Sequence, residues 1–151
     1  MKNISTHISL EEATNSPTAK RLGFANKPTE DHIKNMEALA TTIFEVLRKG
    51  LGDHPIRITS FYRSEESNKA VGGATASQHC KGEAMDLQGV NATNAEVFEY
   101  IKDHLPFDQM IWEFGTNVEP AWVHVSYSRK SNRGKVLKAL KKNGKTVYEI
   151  Y

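Results

Sequence analysis

Ser77-Gln78-His79-Cys80-Lys81-Gly82-Glu83-Ala84-Met85-Asp86-Leu87 is the stretch on which the reading of this chain turns. Taken as a strand, Glu83–Leu87 alternates its side chains, so Ala84 and Asp86 share one face while Glu83, Met85 and Leu87 take the other. The small Ala84 leaves room beside the carboxylate, and Gly82 permits the tight turn that brings His79 back over that face. One imidazole and one carboxylate are then aimed at one point. A hydrolytic zinc site takes three protein ligands and keeps a position for water, so a further ligand is required. The best donor is His124, in the strand-like run Ala121-Trp122-Val123-His124-Val125-Ser126-Tyr127. Singly, each of the three is more ordinarily a core histidine, a turn aspartate or a strand histidine; the combined spacing, with Gly82 and Ala84, points to a metal. Two imidazoles and a carboxylate suit Zn2+ best among the divalent ions.

Around this stretch the elements alternate. Ser16 caps a short helix with Pro17 at its first position and Gly23 past its end, expected to turn Leu22 and Phe24 inward. Thr29-Glu30-Asp31 opens the longest helix, which carries Arg48-Lys49 in its last turn and stops at Gly50. Its Ile33, Met36, Ala40, Ile43 and Leu47 recur at helical spacing and form a buried stripe. Ile56–Phe61 reads as a strand that delivers Tyr62 and Arg63 at its end, and Glu65–Val71 as a short helix. Thr93 and Glu96 make a capping box for a helix that ends near His104. The strand-like runs Phe107–Phe114 and Ala121–Tyr127 are expected to be antiparallel neighbours, which puts His124 in the sheet beside Asp86. Two more strand-like runs flank Asn143-Gly144, a two-residue hairpin signal. The expected class is α+β, with helices packed on one side of a small, mainly antiparallel sheet.

A chain of 151 residues, 38% hydrophobic and 25% charged, is expected to form one globular domain, ordered over about residues 8–150. The net charge of +2 is too mild to imply nucleic acid. Residues 129–145 hold eight Lys or Arg and no acid, but lack interleaved aromatic residues and read as a solvated hairpin face. Cys80 is the sole cysteine, so no internal disulfide forms. As a neighbour of His79 in an extended segment, it is expected to point away from the metal. The amino terminus has no apolar core segment, and no run approaches the roughly 18 apolar residues of a membrane span. Synthesis in the cytoplasm, without a signal peptide or a membrane span, is the expectation.

The motif Ser77-x-His79-x-x-Gly82-x-Ala84-x-Asp86, followed about forty residues later by Trp122-x-His124, resembles the zinc D-alanyl-D-alanine carboxypeptidases and L-alanyl-D-glutamate endopeptidases. These share a fold with lysostaphin-type peptidases and the hedgehog signalling domain. Ser60-x-Tyr62-Arg63 and Ser16-Pro17-Thr18-Ala19 with Asn26-x-Pro28 are similar to the small, phage-associated branch, so the resemblance covers most of residues 8–150. It implies a zinc peptidase, expected to be a monomer, acting on peptidoglycan stem peptides. Delivery would be by phage lysis or on a virion. A catalytically silent zinc domain that binds the cell wall is the alternative.

By the same resemblance, His79, Asp86 and His124 hold the ion, and Arg63 and Ser77 contact substrate. A guanidinium is suited to the task, because it can grip a carboxylate with two parallel hydrogen bonds. Tyr62 and Trp122 are expected to pack. The general base does not transfer by position. In much of the family an acid stands three residues before the last histidine, where this chain has Ala121. Glu119, on a loop at the strand entrance, is the favoured candidate and Glu113 the alternative. Asp108 and Gln109 are candidates to orient a ligand imidazole from behind.

Overall fold

The computed structural model describes residues 3–151. A short ribbon of β1 (Asn3–Ser5) and β2 (Ile8–Ser9) leads into α1 (Leu10–Ala13), and its Ile4 and Ile8 are buried, so the core begins earlier than the sequence suggests. Helix α2 (Pro17–Leu22) has the expected Ser16 cap and left-handed Gly23. It turns Ala19 inward rather than Leu22, which is 48% exposed; a helix of six residues offers the core one narrow face. Asn26 ties this segment down by donating to the carbonyls of Thr14 and Tyr62 and accepting from the Ser64 N–H.

The longest helix begins as α3 (Glu30–Leu39), where Thr29 and His32 form a reciprocal capping box. It then passes through a π-helical turn (Ala40–Phe44) into α4 (Glu45–Gly50). The wider turn admits one extra residue per repeat. Leu39, three residues after Met36, and Phe44, four after Ala40, join Met36, Ala40, Ile43 and Leu47 in the core, a broader stripe than the five residues expected.

The remaining strands are β3 (Ile56–Ser60), β4 (Ala84–Gly89), β5 (Gln109–Glu113), β6 (Trp122–Ser126), β7 (Lys135–Lys142) and β8 (Lys145–Ile150). Helix α5 (Glu65–Ala70) and a 3-10 turn (Gln78–Lys81) precede β4, and α6 (Asn94–His104) follows it. The sheet order is β3-β4-β6-β5-β7-β8. All pairings are antiparallel except β5 with β7, which is parallel and makes the sheet mixed. The class is α+β, as expected. Asn143 and Gly144 both take positive φ, as a two-residue hairpin turn requires.

Alternation divides the sheet cleanly. Met85, Leu87, Val123, Val125, Met110 and Trp112 face the helices and merge with Val97, Phe98 and Ile101 of α6 and the long helix in one core. Asp86, His124, Ile111 and Glu113 take the other face, because Asp86 pairs with His124 and His124 with Ile111. Among the described residues no helix is long and apolar enough to cross a membrane.

Gly82 is where the core and the functional face constrain each other. It closes the 3-10 turn at φ +73°, and a Cβ there would lie 2.5 Å from the His32 carbonyl oxygen and 2.8 Å from Met36 Cγ. Gly82→Ala is therefore expected to cost about 2–3 kcal/mol, combining an unfavourable backbone region with a clash against α3. Urea denaturation of the two proteins measures it.

Candidate metal centre

His79 is carried by the 3-10 turn, whose first N–H groups need a partner; the Ser77 hydroxyl accepts from the His79 N–H at 3.2 Å. The turn is held to the strand before it by the Arg63 N–H, which donates to the His79 carbonyl. His79 is 4% exposed, and its Nδ1 lies 2.8 Å from the Phe61 carbonyl oxygen. A carbonyl can only accept, so Nδ1 carries the hydrogen and Nε2 offers its lone pair to the site. That Nε2 is 3.4 Å from Asp86 Oδ2, and His124 Nδ1 is 3.0 Å from Asp86 Oδ1. The two rings meet edge to face with centroids 5.2 Å apart.

One ligand atom from each of His79, Asp86 and His124 lies within 4.8 Å of the other two. A tetrahedral zinc site with bonds near 2.0–2.1 Å has edges of about 3.3–3.4 Å; the His79–Asp86 separation matches such an edge, while the 3.0 Å contact of His124 is to the other carboxylate oxygen. The donor set therefore fits a divalent transition ion. Burial pushes the Asp86 carboxyl up, but the adjacent His79 and His124 outweigh this and hold it well below the usual carboxylate range. A ligand kept ionised in this way suits a cation.

Glu113 sits on the same face, is 7% exposed, and pairs across β5 and β6 with Trp122. Burial pushes its carboxyl up to about 7, with a further push from the Asp86 charge and partial relief from His124. Glu119 is elsewhere. Its two carboxylate oxygens accept the N–H groups of Asn94 and Ala95, at 3.2 and 2.8 Å. They thereby complete the capping of α6 that Thr93 and Glu96 begin, because the first turn of a helix leaves N–H groups that a carboxylate satisfies well. The expectation that its loop swings this carboxylate over the metal does not match the geometry. Glu119→Gln should lower stability by about 1 kcal/mol without slowing any hydrolysis. Thermal unfolding beside an activity assay tests both halves.

Arg63 lies at the rim, 3.8 Å from Asp86 Oδ2, with its guanidinium donating to Asn68 and Ser60. It borders a small cavity of about 180 Å³ that also touches Ser60, Tyr62 and Pro17. Asp108 orients no imidazole: it accepts from Arg133 and Gln78, and the Arg133 guanidinium holds its carboxyl low. Orientation of His79 falls instead to the Phe61 carbonyl, a backbone group with no signature in the sequence. Cys80 is outside the converging group, though for a different reason than alternation. It lies in the 3-10 turn, and burial raises its thiol pKa.

An α+β fold that presents two imidazoles, an ionised aspartate and a buried glutamate on one open sheet face defines a metallohydrolase-like class. The family model described as Peptidase M15 matches residues 6–126, and the chain belongs to that family of metallopeptidases. No curated protein matches the chain.

Proposed function

We propose that this protein is a zinc-dependent peptidase that hydrolyses an amide bond in peptidoglycan stem peptides, acting as a D-alanyl-D-alanine carboxypeptidase or an L-alanyl-D-glutamate endopeptidase. The observation that carries this reading is the convergence of His79, Asp86 and His124 with Glu113 on the same sheet face. His79 through Nε2, Asp86 through its carboxylate and His124 through Nδ1 are the ligands. The ion, when bound, lowers the pKa of a water and polarises the amide carbonyl. Glu113 is the general base: its carboxylate takes the proton from the attacking water and returns it to the leaving amine. The Ala121 N–H donates to the Glu113 carbonyl, which sets Glu113 beside position 121. A carboxylate on β5 thus stands one strand over from the position of the family's usual acid.

Arg63 supports the assignment of substrate. Both candidate bonds release an amine that carries a carboxylate, either the terminal D-alanine or the α-carboxylate of D-glutamate. A partly exposed guanidinium beside the ligands can receive it in the fork geometry. Ser77 is assigned to the same wall through the turn it caps, with His79 as its neighbour. The silent wall-binding alternative rests on the missing acid at position 121; the presence of Glu113 on the same face favours the enzyme over it.

Digestion of purified muropeptides by the zinc-loaded protein, with products identified by mass, tests the reading and separates the two bonds. Free D-alanine indicates the carboxypeptidase, and a cut after L-alanine the endopeptidase. Intact muropeptides, or cleavage that persists after chelation, would overturn it.

A further inference from the structure

We infer that the β7–β8 hairpin forms the acyl-side wall of the substrate cleft, with Tyr148 as the residue that contacts the peptide there; this rests on the peptidase reading above. The hairpin lies beyond residues 6–126, the part matched by the family model, so nothing in that match assigns it a role. The register carries the argument. Glu113 pairs with Ala139 and Ala139 with Tyr148, so the three form one row on the metal face, from β5 through β7 to β8. Two strand spacings, about 10 Å, separate Glu113 from Tyr148, and the side chain between them is a single methyl group. Tyr148 can therefore lean over Ala139 toward the base, and the carboxylates of Glu113 and Asp86 are near enough to raise its phenol pKa beyond what burial does.

The surroundings are built as a shelf. Ile111, Leu137 and Ala139 form a small buried cluster on this face, separate from the main core, with Phe114 packed on it. Phe114 holds a positive φ of 55°, uncommon for a bulky residue, and its N–H donates to the Ala139 carbonyl. In that position its ring packs against Trp122, with centroids 5.5 Å apart. Above this buried floor Tyr148 remains 55% exposed.

Strand order then fixes direction. Arg63 follows β3, the ligands stand on β4 and β6 with their turn, Glu113 on β5 and Tyr148 on β8. Arg63 and Tyr148 are thus on opposite sides of the ion. For either candidate bond the carboxylate that suits Arg63 belongs to the leaving amine. The acyl part of the peptide must run the other way, across Glu113 toward Tyr148.

The test compares a muropeptide, in which the stem peptide still carries its amino sugar, with a peptide cut back on its acyl side to the residue that bears the reacting carbonyl. With zinc-loaded wild-type protein, KM for the longer peptide should be about tenfold lower. Tyr148→Ala should erase that difference by raising KM for the long peptide, leaving kcat and zinc content unchanged. If Tyr148→Ala folds poorly, Tyr148→Ser serves in its place. A preference for the longer peptide that survives the substitution overturns the inference. A second arm needs no turnover: calorimetric titration of the long peptide into zinc-loaded Glu113→Gln protein, with and without Tyr148→Ala. About tenfold weaker binding in the double variant supports the wall even if the protein cleaves nothing, which would sink the peptidase reading alone. Equal binding overturns the wall.

Discussion

Glu113→Gln is expected to lower kcat by about 100-fold or more while zinc stays bound, because glutamine keeps the shape of the side chain and loses its basicity. The same substitution at Glu119 should leave kcat alone, since that carboxylate serves the α6 terminus. Rate against pH adds a second readout. With Glu113 as the proposed base, hydrolysis requires its ionised form, so kcat/KM is expected to fall as pH drops through the Glu113 pKa, which burial and Asp86 push up to about 7. A dication held by Asp86 would draw that value down, so the acid limb is expected no higher than about pH 7 in the metal-loaded protein. In the metal-free protein the consequence appears in stability. A carboxyl whose pKa is raised by folding favours the fold at pH values below its unfolded value of 4.5, and that contribution is lost as pH rises through about 7. Metal-free Glu113→Gln should therefore gain on wild type by about 3 kcal/mol between pH 4 and pH 8. Denaturant titrations at the two pH values measure it. A variant that retains full kcat would show that the base is another group.

Asp86→Asn is expected to abolish zinc retention and with it all hydrolysis. Asp86 is the one carboxylate in the converging group, and its two oxygens face the two imidazoles. An ion that binds only the folded chain stabilises it by about 2.7 kcal/mol at a concentration 100-fold above its Kd. For a chain of this size that is a rise in Tm of roughly 5–10 °C. Wild type should show the rise and lose it on chelation, and Asp86→Asn should show neither. Elemental analysis of both proteins after dialysis gives the zinc content per chain directly. Retention of stoichiometric zinc by the variant would mean that the ion sits elsewhere.

Much of this was legible in the chain because it depends on local rules. Alternation along β4 puts Ala84 and Asp86 on one face, and antiparallel pairing of the neighbouring strands brings His124 opposite Asp86. The caps at Ser16, Thr29 and Thr93 follow from residue types suited to unpaired helix N–H groups. What was not legible depends on partners distant in sequence. Choosing between Glu113 and Glu119 requires knowing that the α6 terminus, 25 residues before Glu119, claims its carboxylate. The strand period of residues 135–142 is plain, but nothing in it says that β7 joins β5 in parallel. The π-helical turn over Ala40–Phe44 also escapes a reading based on regular spacing.

The parallel pairing of β5 with β7 bears on how the chain is made. Vectorial synthesis delivers β5 and β6 before β7, and these can close as a hairpin at once, whereas β7, which covers the other edge of β5, begins only at Lys135, after β6 has ended at Ser126. Until then Met110, Ile111 and Trp112 present open backbone to any passing strand, the situation in which nascent chains associate with one another. The crossover carries its own safeguard: Arg133 reaches back to Asp108, and the N–H groups of Gly134 and Lys135 donate to Phe107 and Asp108. These contacts fix the start of the incoming strand at the mouth of β5.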